Sequence, residues 1–166
     1  MENSVCFIGH RKIKDTPELK ERLEAVLFEL IKTGIVNFIF GDHSQFNDLC
    51  YKTVTELKEK YPAIKRIHFR KDYEDTNDYT MQFLISGYEE SIYPKGVSNS
   101  GRLSYIKRNE AMIRESNICV FYYDENYRPP NGKSNKNNLD NHKANSGTGI
   151  AFNYAKEKQK TIINCF

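Results

Sequence analysis

The chain has 166 residues, of which 39% are hydrophobic and 13% aromatic, with 11 Tyr, 10 Phe and no Trp. That is enough apolar material for the core of one domain, and it excludes disorder along the whole chain. The formal charge is +3, with Lys, Arg, Asp and Glu intermixed rather than gathered into a stripe, which argues against a general nucleic-acid binder.

"VCFIG" (Val5 to Gly9) is a short apolar run closed by glycine and is predicted as a buried first strand. The helix after it has Asp15 as a cap, Pro17 in its first turn and Glu18 three residues beyond Asp15, as in a capping box. Leu19, Leu23, Val26, Leu27, Leu30 and Ile31 fall on one face, and Gly34 suits its end. "IVNFIFG" (Ile35 to Gly41) is the second strand, followed by a helix with Phe46, Leu49, Cys50, Val54 and Leu57 on one face. "IKRIHFR" (Ile64 to Arg70) is the third strand.

Periodicity fades from Lys71 to Ser100, where a short helix fits "YTMQFLISGYEESIYP" no better than a loop. A helix is predicted from about Ser104 to Ser116, then a fourth strand, "ICVFYY" (Ile118 to Tyr123). Asp124 to Asn145 is rich in Asn, Lys, Pro and Gly and reads as a mobile loop of a length that suits a lid. "TGIAFNYAKEKQ" and "TIINCF" supply the last helix and strand.

Strands that alternate with helices imply a parallel sheet with right-handed crossovers. Near-continuous apolar strands imply cover on both faces. The expectation is one Rossmann-like α/β domain over residues 1–166, a three-layer sandwich on a mainly parallel five-stranded sheet. Cys6, Cys50, Cys119 and Cys165 form no C-x-x-C pair and are expected as buried free thiols rather than a zinc site. No metal and no cofactor are expected. No basic segment precedes a long apolar run, and no stretch approaches the ~18 apolar residues of a membrane helix. A soluble cytoplasmic protein with no membrane partner is therefore expected.

In such sheets ligands bind beyond the carboxyl ends of the strands. Gly9, His10 and Arg11 follow strand one: a turn residue, a donor or base, and a planar fork of donors for phosphate. Their ordinary reading is a polar turn. Gly41, Asp42 and Ser44 follow strand two where a helix begins, a place that favours anions. Asp42 suits ribose hydroxyls, Ser44 fits equally well as an N-cap, and Asp48 fits a role on the helix dipole. Lys107, Arg108 and Asn109 stand side by side on a helix, either as ligand contacts or as solvated surface. Tyr123 and Asp124 follow the fourth strand and suit a nucleoside. Ser146, Gly147, Thr148 and Gly149 form a glycine-punctuated, hydroxyl-bearing helix start, the context in which such a turn holds phosphate or pyrophosphate.

Together, "CFIGHRK", "FIFGDHSQFNDLC", "YIKRNEAM", "ICVFYYDENY" and "SGTGIAFNYA" resemble the SLOG superfamily, in particular its small stand-alone bacterial and phage members with an N-terminal G-H-R. The resemblance covers nearly the whole chain apart from Asp124 to Asn145. It implies a Rossmann-like fold and a nucleotide or nucleotide-derived ligand. The superfamily includes cytokinin-activating phosphoribohydrolases, the DNA-processing protein A and sensors of cyclic ADP-ribose-type signals in antiphage defence. The phosphoribohydrolases carry M-H-x-R-K and P-G-G-x-G-T-x-x-E. "YIKRNEAM" matches the first at Arg108, with Asn109 in place of the Lys, and "NSGTGIA" resembles the second at Gly147 and Thr148. Ala151 stands where those enzymes have the Glu that serves glycosidic cleavage, and alanine can neither donate a proton nor stabilise an oxocarbenium ion.

The expected function is therefore binding of a nucleotide-derived small molecule, to sense or sequester it without turnover. A nucleoside-monophosphate phosphoribohydrolase using Arg108 and a displaced carboxylate is the first alternative. DNA binding, read from salt-sensitive affinity, is the second. The resemblance also implies a homodimer or homotetramer.

Overall fold

The structure, a computed structural model, describes residues 1–42, 44–71, 87–97, 101–127 and 146–166. In chain order its elements are β1 (Ser4–Gly9), α1 (Pro17–Lys32), β2 (Asn37–Phe40), α2 (Gln45–Lys60), β3 (Lys65–Phe69), β4 (Glu90–Ile92), α3 (Arg102–Glu115), β5 (Ile118–Tyr122), α4 (Gly147–Glu157) and β6 (Thr161–Asn164). The strands form one parallel sheet in the order β4-β3-β2-β1-β5-β6. This is the expected α/β sandwich with one strand more than the five anticipated. The extra strand, β4, has three residues, Glu-Ser-Ile, at the sheet edge, too short and too polar to announce itself by pattern. The expected loop at Asp124 to Asn145 lies, from residue 128 onward, outside the described residues.

Alternation along the strands divides the core into two layers. Val5 and Phe7 of β1 join Phe38, Phe40 and Val120 under α1 and α2, which contribute Leu19, Leu23, Leu27, Phe46, Cys50 and Val54. Cys6 and Ile8 face the other way and join Ile39, Cys119 and Phe121 under α3 and α4, through Ala111, Met112, Ile113, Ala151 and Ala155. All four cysteines are buried and free. Among the described residues no helix is long and apolar enough to cross a membrane.

The helix ends explain themselves locally. Thr16, not Asp15, caps α1: its hydroxyl accepts from Leu19 N–H, and Pro17 takes the first helical position. Proline at that position makes the preceding residue the cap, which moves the expected start by one. Ser44 caps α2 by accepting from Asn47 N–H at 3.1 Å. Ser146 caps α4 by accepting from Gly149 N–H at 3.0 Å.

The connections run β1 to β2 to β3 to β4 in one direction and then return across β1 to reach β5 and β6. The chain therefore reverses its winding between β1 and β5. The carboxyl ends of these two strands form the switch point where α/β sheets open a crevice.

Candidate functional site

β1 runs directly into His10, which is 1% exposed. Its backbone N–H donates to Tyr122 O at 3.3 Å, tying it to the end of β5. Asp124 N–H donates to His10 Nε2 at 2.9 Å, with Asp124 O 3.2 Å from the same nitrogen. A neutral ring that accepts through Nε2 carries its proton on Nδ1, and Nδ1 is buried with no hydrogen-bond partner among the described residues. Burial pushes the imidazole below its usual range, with the Asp124 contacts pulling the other way. The ring stacks on Tyr127 at 3.8 Å and lies 5.9 Å from Tyr123.

Tyr123 continues the site toward α4. It stacks on Phe152 at 4.5 Å, and a side chain at Gly149 would meet its ring at 3.4 Å. Asn164 clamps its backbone from β6, accepting from Tyr123 N–H at 3.0 Å and donating to Tyr123 O at 2.9 Å. The Asp124 carboxylate accepts from Asn126 N–H at 2.8 Å, a local turn contact. In the first turn of α4, Gly147 has open space where a side chain would stand, and Thr148 is buried. Ile150 N–H donates to Ser146 O at 2.9 Å. With the Ser146 hydroxyl on Gly149, the Gly147 and Thr148 amides are the first-turn donors left without an intrahelical acceptor.

A second group gathers beyond β2 and β3. Arg108 of α3 is 5% exposed, and its guanidinium rests against the backbone of Gly41, where any side chain would come within 2.7 Å of Cζ. Glycine at 41 is thus the seat of an arginine contributed from 67 positions further along the chain. Arg108 Nη1 lies 3.1 Å from Asp42 Oδ2, its Nε donates to Asn109 Oδ1 at 3.1 Å, and Tyr105 lies beneath it. His68 Nε2 is 3.7 Å from Asp42 Oδ1 and stacks on Tyr88 at 5.0 Å. Burial acts to raise the Asp42 carboxyl, but His68, Arg108 and Lys71 outweigh it and hold the acid below its ordinary value. Tyr88, desolvated and facing Tyr51, Asp48 and Asp42, is pushed up to about 12.

The expected site residues therefore separate. His10, Tyr123, Asp124, Gly147, Thr148 and Gly149 meet at the switch point, and Gly41, Asp42 and Arg108 meet beside it. Gly9 does packing work: a side chain there would lie 2.4 Å from Phe46 Cδ1, so glycine lets α2 close on β1. The Ser44 and Ser146 hydroxyls are engaged as caps. Lys107 turns away from Arg108 to pair with Glu110 at 2.9 Å, and Arg11 is exposed, its carbonyl accepting from Gln45 N–H at 3.0 Å. Ala151 is 3% exposed in the core beneath α4.

His68, Tyr88 and Tyr105 join the second group although the sequence did not single them out. His68 was within reach of the strand-end rule, since it sits two residues before the end of "IKRIHFR". Tyr88 and Tyr105 lie where pattern fades or helix surface is expected. A surface depression of about 540 Å³ lies elsewhere, between α1 and α2, with Glu21, Glu24, Phe28, Glu56 and Lys60 among its walls. Its lining includes no residue of either group. No protein-family model matches the chain, and no curated protein matches it.

Proposed function

We propose that the carboxyl edge of the sheet binds a nucleotide-derived small molecule, a cyclic nucleotide or an ADP-ribose-type signal, and holds it for sensing or sequestration without turnover. The observation that carries this reading is His10: a fully buried imidazole at the switch point whose Nδ1 has no partner among the described residues. An orphaned buried polar atom is costly unless something supplies its hydrogen bond. In the helix turn that packs on Tyr123, the Gly147 and Thr148 amides offer donors and a partial positive charge to a phosphate. The Tyr123 and Tyr127 rings give a base something to stack against. This combination of anion site, aromatic faces and polar donors is what a nucleotide requires, and it agrees with the ligand class that the SLOG resemblance implies.

Position 151 supports the reading without turnover. Ala151 has no proton to give, and it is buried in the core. A second reading, phosphoribohydrolase-like cleavage, is favoured by one feature: Asp42 is an acid held ionised beside His68 and Arg108. An ionised carboxylate suits a nucleophile or base, whereas protonation of a leaving group needs a carboxyl with a raised pKa.

One experiment separates the readings. The purified protein is incubated with a panel of nucleoside monophosphates, cyclic dinucleotides and ADP-ribose derivatives, washed, denatured and analysed by mass spectrometry. Recovery of an intact ligand supports holding. Release of free base from a monophosphate supports cleavage. Retention of none of the panel contradicts both.

A further inference from the structure

Arg70 is the first residue beyond β3. Its N–H donates to Ile92 O at 2.8 Å, continuing the ladder with β4 for one more step. Extended alternation thereby reaches Arg70 and sets it on the face of His68 and of Ser91, the register partner of His68 in β4. Among the described residues, the buried Arg70 Nε and Nη1 find no hydrogen-bond partner, and neither does Ser91 Oγ. Arginine cannot relieve burial by losing its proton. Among the described residues, the Asp42 carboxylate is committed to Arg108 and His68. A half-buried, permanently charged fork whose Nε and Nη1 are unpartnered among the described residues favours an external oxyanion.

We infer that Arg70, assisted by the Ser91 hydroxyl, forms an anion subsite that takes a phosphate group of the ligand. The demand for an anion at Arg70 stands independently. Its assignment to the same ligand rests on the nucleotide reading above. β3 lies three strand spacings from β5, whose following residue Tyr123 meets the first turn of α4, about 14 Å across the sheet edge. A molecule that serves both the α4 amides and Arg70 therefore carries two separated anionic groups. That describes a nucleoside bisphosphate or a dinucleotide rather than a simple monophosphate.

The test uses the full chain and two kinds of probe. Inorganic phosphate, titrated at constant ionic strength against chloride, is expected to raise the melting temperature by on the order of 2–4 °C. Arg70→Gln should lose most of that rise, Arg70→Lys should recover part of it, and Gly147→Pro at the start of α4 should leave the Arg70-dependent part in place. An equal rise in wild type and Arg70→Gln overturns the subsite. Wild type should then bind adenosine 3′,5′-bisphosphate about 10- to 100-fold more tightly than adenosine 5′-monophosphate, as expected for one further charge-assisted contact. Arg70→Gln should bring the two together, and equal affinities in wild type overturn the two-anion ligand. Should neither nucleotide bind while the phosphate response persists, the nucleotide reading fails and the Arg70 subsite survives.

Discussion

The two ends of the sheet treat buried polar groups in opposite ways. At the amino end, Ser4 Oγ lies 2.7 Å from Met1 O and 3.0 Å from Glu115 O and accepts from Asn117 N–H at 3.3 Å. The Asn117 side chain accepts from Ser4 N–H at 3.0 Å. Lys160 Nζ closes the end of α3 by donating to Ser116 O at 2.6 Å and Arg114 O at 3.1 Å, and the Ser116 hydroxyl donates to Met112 O. Beyond the carboxyl ends, His10 Nδ1, Asn47 Oδ1, Arg70 Nε and Tyr127 Oη are buried with no such partner among the described residues. Satisfied networks hold structure together. Orphaned donors and acceptors gathered at one edge are what a ligand would complete.

The largest expected effect comes from the frame that the carboxyl edge is built on. Gly9→Ala drives a methyl group into Phe46, itself fully buried, and should cost about 3 kcal/mol in urea unfolding. A near-neutral result would mean that α2 shifts freely on β1. Arg108→Ala comes next, since it removes one partner of a buried ion pair. Asp42 keeps 26% of its side chain exposed, so the loss should be about 2–3 kcal/mol, below that for a fully enclosed pair. Wild-type stability in Arg108→Ala would show the pair to be solvated. At the amino end, Ser4→Ala should cost about 1–2 kcal/mol by undoing the Ser4–Asn117 network. No loss there would remove the contrast between the two ends.

A smaller effect is read from pH. Burial lowers the folded-state pKa of His10, so the fold favours the neutral ring. That contribution is complete above the unfolded value, about 6.5. It fades as pH falls through that value toward the folded one. The urea midpoint should therefore drop between about pH 7 and pH 5, and His10→Gln should flatten the drop. Identical slopes in the two proteins would detach His10 from the acid response.

Most of the frame was legible in the sequence because each long element carries its own signal. β1, β2, β5 and β6 are mostly apolar runs, β3 alternates with Ile67 and Phe69 buried, and α1 and α2 have clear apolar faces. β4 was not, because three residues at an edge have no periodicity and are held by pairing with β3. In the site, residues directly after β1 and β5 were visible from topology alone. The Arg108–Asp42 pair was not, since it depends on how α3 crosses the end of β2 and on the absence of a side chain at Gly41. Arg70 lay within the strand-end rule but read as the last letter of a strand. Its unpaired burial is a three-dimensional fact that no local pattern carries.

The central claim, that the carboxyl edge holds a ligand while the amino edge holds the fold, is tested most directly by Gly147→Pro set against Ser4→Ala. Proline suits the first position of a helix. Ser146, at φ −60° and ψ 154°, already has the extended conformation that a residue before proline adopts. The change removes one of the N–H groups proposed to meet the phosphate and leaves the helix in place. Calorimetric titration of ADP-ribose and a cyclic dinucleotide should show a ligand bound by wild type, bound about tenfold or more weakly by Gly147→Pro at unchanged melting temperature, and bound normally by a less stable Ser4→Ala. Failure of wild type to bind either probe, or equal affinity in wild type and Gly147→Pro, would contradict the claim.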